Sequence, residues 1–287
     1  MKFGLRVVFK FVVKLLIGTL WLPIALYRRG DGVRILCYHR VNEVPWSRLT
    51  VSTAAFQRQL AYLARHHSVV PLQAVVDAFQ NGHVLPRRPV VITFDDGYRD
   101  AWLNAVPLLR EFRFPATFFV ATGLVGATHV GGTGRESCAD ELMTWDEIRE
   151  LQSAGFEVGS HTVGHPILSS VPSRTQQREI EESRVVLHQM LGRRVEAFSY
   201  PSGSSGDFGE TAVASVIAAG YRCACTTIDG LNCRGGNLFR LRRSNVLNED
   251  TMLLFRYTMF GALDWMSVKD SVVGRTCQRW FRIVFGY

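Results

Sequence analysis

The stretch Val90-Val-Ile-Thr-Phe94-Asp95-Asp96-Gly97 runs through five apolar or β-branched residues and then breaks abruptly into two carboxylates and a glycine. A short apolar run of this kind reads as a buried strand, and the Asp-Asp-Gly that follows marks its end. The same pattern recurs along the chain. Strands are expected at Val33–Tyr38, Ser68–Val70, Val90–Phe94, Ala116–Ala121, Phe156–Gly159, Glu196–Ser199, Arg222–Thr226 and Phe239–Arg242. Helical patterns fill the gaps. Ser52 and Thr53 cap one through Phe56, Leu60 and Leu63, and Pro71 opens a second that ends at Asn81-Gly82. Others read at Ala101–Phe112, Trp145–Ala154, Ser173–Leu191, Gly209–Ala219 and Glu249–Phe260, three of them closed by a glycine. About eight strands, each followed by a helix or loop, predict an α/β fold with a parallel sheet, either a barrel or doubly wound.

The unusual polar residues come directly after these strands. His39 follows the first, Asp95-Asp96-Gly97 the third, His161 the fifth and Tyr200-Pro201 the sixth. In a parallel sheet all of these positions lie on one face, where ligands and chemistry gather. Two adjacent aspartates repel each other unless a cation or a shared proton compensates them, so a metal on one is the natural resolution. In isolation, Asp-Asp-Gly is simply a turn. Ser160-His161-Thr-Val-Gly-His165-Pro166 adds two imidazoles four residues apart, a spacing that lets both face one ion. With Asp96 they form a two-histidine, one-carboxylate set that leaves coordination positions open. His66, His67, His83, His129 and His188 have no such company and read as surface or packing residues.

Thr93-Phe94-Asp95-Asp96-Gly97, His161-Thr-Val-Gly-His165-Pro166 and Phe198-Ser-Tyr200-Pro201-Ser-Gly203 resemble, in this order, successive motifs of the polysaccharide deacetylase family, the NodB-homology group of carbohydrate esterases. The resemblance covers roughly residues 33–247, and Cys37-Tyr38-His39-Arg40-Val41 is similar to the opening of the branch that includes the poly-N-acetylglucosamine deacetylases. It implies an irregular (β/α) barrel of about seven repeats and one divalent ion, usually zinc, on Asp96, His161 and His165. Asp95 would then be the base, and the metal with a main-chain N–H near Tyr200 would hold the oxyanion. The chain also departs from the family. No histidine follows His188, so the late catalytic-acid histidine of many members is missing, and His39 is the candidate in its place. The arginine that orients the base in many members is absent from the Phe198–Gly203 motif. Arg243 resembles the arginine this branch carries late in the chain, with a surface salt bridge as its ordinary alternative.

Length and composition set the outer limits. At 287 residues and 47% hydrophobic, the chain suits one catalytic domain, 31–262, with short appendages at 1–30 and 263–287. The net charge of +8 comes without zinc-finger spacing, an RNP-type motif or a long basic block, which excludes the usual nucleic-acid modules. Six irregularly spaced cysteines do not make a disulfide framework, and Cys223-Ala-Cys225 reads as strand packing. Residues 128–140 form a Gly-rich loop, either a surface excursion or a lid. The N-terminal run Leu15–Tyr27 is apolar between basic flanks, interrupted by Pro23 and too short to span easily, so an interfacial or re-entrant anchor is expected, with no cleavage site. The tail Arg275–Phe285 mixes cations with large apolar groups, as at a headgroup boundary or in a closing helix.

Together these features predict a membrane-associated hydrolase that removes acetyl or formyl from the nitrogen of an amino sugar, in a polysaccharide or a lipid-linked glycan. An inner-membrane location is expected by resemblance, with unpaired cysteines leaning toward its cytoplasmic face. A glycan-binding pseudoenzyme and a non-haem iron oxygenase are the rival readings.

Overall fold

The computed structural model describes residues 2–28, 32–43, 47–128, 141–271, 274 and 276. The chain opens with α1 (Lys2–Arg28) and β1 (Arg34–Tyr38), followed by β2 (Arg40–Val41), β3 (Thr50–Val51), α2 (Thr53–His66), β4 (Ser68–Val69) and α3 (Leu72–Asn81). Then come β5 (Pro89–Phe94), α4 (Val106–Glu111), β6 (Thr117–Val120), α5 (Trp145–Ser153) and β7 (Glu157–Ser160). The last third holds α6 (Ser173–Leu191), β8 (Ala197–Ser199), α7 (Glu210–Ala218), β9 (Cys223–Cys225), β10 (Ser244–Asn245) and α8 (Met252–Phe260).

The main sheet runs β10-β1-β5-β6-β7-β8-β9, with β4 beside β5, and every pairing in it is parallel. Each crossover between neighbours needs a dozen or more residues, which the helices supply. The strands are buried along their whole length at β1, β5 and β6, as expected where both faces are covered. Inside lies an aromatic stack: Phe94 and Phe118 are 4.7 Å apart and nearly parallel, with Tyr38 and Phe56 packed against Phe94. Burying each such ring is worth about 1.5–3 kcal/mol, so this stack fixes the end of β5 where the aspartates begin. Gly159 in β7 has its own steric reason. A Cβ there would meet the Phe119 ring at 2.4 Å, so only glycine lets that ring lie across the strand.

Helix boundaries follow capping chemistry. Ser52 accepts from Ala55 N–H at the start of α2, Thr144 and Glu147 form a reciprocal box at α5, and Gly82 and Gly192 close α3 and α6 in the left-handed region. Residues 101–105 form a π turn leading into α4, where Pro107 has no N–H to continue an α-helical ladder.

One expectation needs correction. Phe239–Arg242 is not a strand: Leu238–Arg240 is a single 3₁₀ turn, Leu241 bridges to Cys225, and the strand on β1 starts only at Ser244. Only Leu241 joins the sheet edge there, its N–H donating to the Ala224 carbonyl and its carbonyl accepting from the Thr226 N–H. The N-terminal apolar run lies within α1, one 27-residue helix that includes Pro23. Among the described residues, no helix is long and apolar enough to cross a membrane. The lid candidate at 129–140 and the tail 277–287 lie outside the described residues.

Candidate active site

The site forms where β1, β5, β7 and β8 end. β5 delivers Asp95 inward, its backbone N–H held by the Tyr38 carbonyl, and then turns sharply at Asp96, whose φ is 70°. The turn separates two adjacent carboxylates into two different environments.

Asp95 is 2% exposed and sits in a fork formed by Arg243, which is wholly buried. The guanidinium donates to Asp95 Oδ1 at 2.7 Å and to Oδ2 at 2.6 Å. Its remaining N–H groups donate to the Thr226 carbonyl, Thr93 Oγ1 and Ser199 Oγ, so all five donors are engaged. Its carbon also lies 5.5 Å from the centre of the Phe119 ring that Gly159 admits. Ser199 Oγ donates in turn to Asp95 Oδ2 at 3.2 Å. Burial alone would raise the Asp95 carboxyl, but the Arg243 charge and hydrogen bonds outweigh it and bring the pKa down to about 2. Burial likewise opposes the charge on Arg243, and Asp95 reverses that and raises it. The expected pairing of Arg243 with Asp95 is therefore present, and as a buried bidentate clamp rather than a surface bridge.

Asp96 faces the other way. Its Oδ1 lies 3.3 Å from His161 Nε2 and 3.1 Å from His165 Nε2, and the three ligand atoms are all within 4.8 Å of one another. His161 Nδ1 is 2.7 Å from the Ser199 carbonyl, which can only accept, so Nδ1 carries the proton and Nε2 is free to ligate. The loop between the histidines is tied down from α6, where Glu179 accepts from the N–H groups of Val163 and Gly164. Non-glycine residues with positive φ gather here: Asp96, Thr162, His165 and Ser202, against only Arg88 and Arg113 elsewhere among the described residues. Each such conformation costs on the order of 1 kcal/mol or more, the kind of strain that accompanies functional sites. Burial would raise the Asp96 carboxyl, yet its close approach to both imidazoles holds it well below the usual range, and the same partnership raises His165 against its own burial. Two imidazole nitrogens and a carboxylate oxygen converging on one point, one ring already held in its ligating tautomer, fit a divalent cation.

His39 and Tyr200 stand differently. His39 is half-buried beside this centre, its Nδ1 enclosed without a hydrogen-bond partner, and with Cys37 Sγ and Asp95 it brings polar atoms within 4.8 Å of one another. Burial lowers its pKa. Tyr200 does not offer the expected donor. Its N–H is spent on the Cys225 carbonyl in the β8–β9 pairing, its hydroxyl donates to the Phe239 carbonyl, and its ring stacks on Phe208 at 4.0 Å. Thr93, Ser199 and Glu179 are the working residues that sequence reasoning passed over. The first two were legible, as small polar residues inside strand patterns flanking the aspartates and Tyr200.

Residues 83–224 match the family model described as "Polysaccharide deacetylase". The chain is 26% identical over 214 residues to YxkH of Bacillus subtilis (strain 168), covering 74% of this chain and 70% of that one. It is 28% identical over 142 residues to the poly-beta-1,6-N-acetyl-D-glucosamine N-deacetylase of Escherichia coli (strain K12), covering 46% of this chain and only 21% of that enzyme's length. Among solved structures it is similar to IcaB from Ammonifex degensii, with a TM-score of 0.68 and 28% identity over 82% of this chain and 98% of that one.

Proposed function

The chain belongs to the polysaccharide deacetylase family, and we propose that it is a carbohydrate N-deacetylase that hydrolyses the acetamide of N-acetylated amino sugars with the help of one divalent cation. The observation that carries this reading is the division of labour at the end of β5: Asp96 converges with His161 and His165 on a cation position, while Asp95 stands next to it without joining it. Asp96, His161 and His165 would hold the cation, which would supply Lewis acidity toward the acetamide carbonyl and toward a water.

The rest is done by the chain itself. Asp95 is kept ionised by Arg243 and is the group that takes the proton from the attacking water. Arg243, Ser199 and Thr93 hold the base in one orientation, and the Ser199 carbonyl fixes the His161 ring. The two-nitrogen, one-oxygen donor set suits zinc with an open position. Similarity to a poly-N-acetylglucosamine deacetylase supports N-acetylglucosamine units as the substrate.

The test is acetate release from N-acetylglucosamine oligomers by the full chain, with metal content measured on the same preparation. Stoichiometric cation and acetate release, both lost in His161→Ala, are the expected result. Acetate release that persists after the cation is stripped would refute the proposed mechanism.

A further inference from the structure

One helix of this protein is built unlike the others. Seven of the fourteen large hydrophobic side chains exposed among the described residues lie on α1, although the helix is 27 residues long. Val12, Leu16, Leu20, Ile24 and Tyr27 recur at helical spacing down its outward side, at 43, 60, 78, 42 and 92% exposure. The opposite side is docked. Lys14 Nζ is 2.9 Å from Asp250, a Cβ on Gly18 would touch the Tyr257 ring at 2.9 Å, Thr19 meets the Tyr257 hydroxyl at 3.1 Å, and Ala25 is buried near Gly261. Scattered apolar exposure is normal, whereas a continuous stripe on one helix needs an occupant.

Charge identifies the occupant. Residues 1–29 contain Lys2, Arg6, Lys10, Lys14, Arg28 and Arg29 and no acidic residue. An apolar stripe within an all-basic segment, on a helix not apolar enough to span, matches the headgroup boundary of an anionic bilayer. A second copy of the same chain would set like charges against each other.

The docking also fixes a direction. Asp250 lies just after β10, at the end of the sheet that carries Asp95 and Asp96. α8 then leads away to Gly261, which lies beside Arg34 at the start of β1. Contacts at Lys14, Gly18 and Ala25 follow the same order, so α1 and α8 run side by side. Residues 2–13 therefore extend past the catalytic rim by about 18 Å at 1.5 Å per residue.

We infer that the outward face of α1 beds into the surface of an anionic membrane, so that the catalytic mouth opens along the bilayer and the favoured substrate is an amino-sugar glycan anchored to a lipid. The substrate part rests on the deacetylase reading above; the binding part does not.

The experiment uses the full chain, purified in detergent and diluted into vesicles of either phosphatidylcholine alone or a phosphatidylcholine and phosphatidylglycerol mixture. Co-sedimentation with the anionic vesicles should exceed that with neutral ones at least tenfold and fall at least tenfold in the double variant Leu16→Glu, Leu20→Glu. Both positions are well exposed, so folding is not at stake, and the variant should keep its rate on soluble N-acetylglucosamine oligomers. With a lipid-anchored oligomer in the vesicles, only the wild type should show a rate advantage over the soluble substrate. Equal sedimentation of variant and wild type overturns the inference. So does a wild type that stays off the vesicles and sediments as a dimer that the variant breaks. Membrane binding without any acetate release leaves the docking intact and rejects the deacetylase reading instead.

Discussion

The two halves of the site differ in how completely the protein satisfies them. In the inner half, Arg243 has a partner for every N–H, and both Asp95 oxygens accept from it. In the outer half, one oxygen of Asp96 faces two imidazole nitrogens at 3.1 and 3.3 Å, an arrangement that requires a proton or a cation between them. The inner half is therefore satisfied by the chain itself, whereas the outer half leaves converging donor atoms that a proton or the proposed cation would satisfy. On the proposed mechanism the base is held rigidly by contacts within the chain itself, while the proposed metal ligands stay available.

Removing Arg243 is the strongest way to break this contrast. Arg243→Ala leaves a buried carboxylate without a counterion and should destabilise the fold by about 3–5 kcal/mol in urea titrations, with turnover lost as well. Adding Asp95→Asn to that variant removes the stranded charge and should restore part of the stability, a coupling that a double-mutant cycle measures. A cost below about 1 kcal/mol for Arg243→Ala would show that the clamp carries little of the fold's stability.

Single changes in each half should separate binding from chemistry. Asp95→Asn should retain the cation and lower turnover by a factor on the order of 10²–10⁴, since it removes a base and not a ligand. His165→Ala should lose the cation and, with it, turnover, while its stability without metal stays close to the wild type because the side chain is 28% exposed. Full cation occupancy in His165→Ala would contradict the ligand assignment.

Acid sharpens the contrast. The Asp95 carboxyl is lowered from 3.8 to about 2 by folding, so its contribution is fully present above pH 4 and is lost as the pH falls toward 2. That shift corresponds to roughly 2 kcal/mol, at 1.36 kcal/mol per unit. The metal-free wild type should lose stability in this window more steeply than Asp95→Asn. The outer half should respond nearer neutrality. His165 is raised above 6.5, and its proton competes with a cation, so metal affinity should weaken as the pH falls through that range. Equal metal affinity at pH 6 and pH 8 would break this prediction.

These residues also mark how far the sequence could be read. The convergence of Asp95, Asp96, His161 and His165 was legible because the aspartates and His161 follow strand ends that a parallel sheet brings together, and His165 lies four residues beyond His161. The partner of Arg243 was not decidable, since 148 residues separate it from Asp95 and a bidentate fork and a surface bridge look alike in sequence. Tyr200 misled for a local reason. Its N–H still belongs to the β8–β9 ladder, one residue beyond the end of the strand, where pattern reading cannot fix boundaries. Phe239–Arg242 alternates like a strand because its apolar side chains face the sheet, but its backbone first turns through Leu238–Arg240. On α1, charge and apolarity revealed the surface character, whereas the helix's direction past the catalytic rim depends on contacts with α8 that no local pattern records.

The smallest expected effect belongs to His39, and it tests where the two halves meet. Its ring lies close to Asp95 and Cys37, its Nδ1 is enclosed without a partner, and burial holds its pKa below 6.5. Burial thus favours the neutral imidazole, a poor starting point for donating a proton but a suitable one for orienting a polar group of the substrate. His39→Ala should lower turnover by about tenfold, within the effect of one hydrogen bond of roughly 1.4 kcal/mol, and leave cation occupancy unchanged. His39→Gln, which keeps a donor and an acceptor but does not titrate, should recover most of that loss with an unaltered alkaline limb of the pH–rate profile. If Gln recovers nothing and the alkaline limb disappears in both variants, His39 is the acid that protonates the leaving amine, and the proton path crosses from the inner half of the site to the outer.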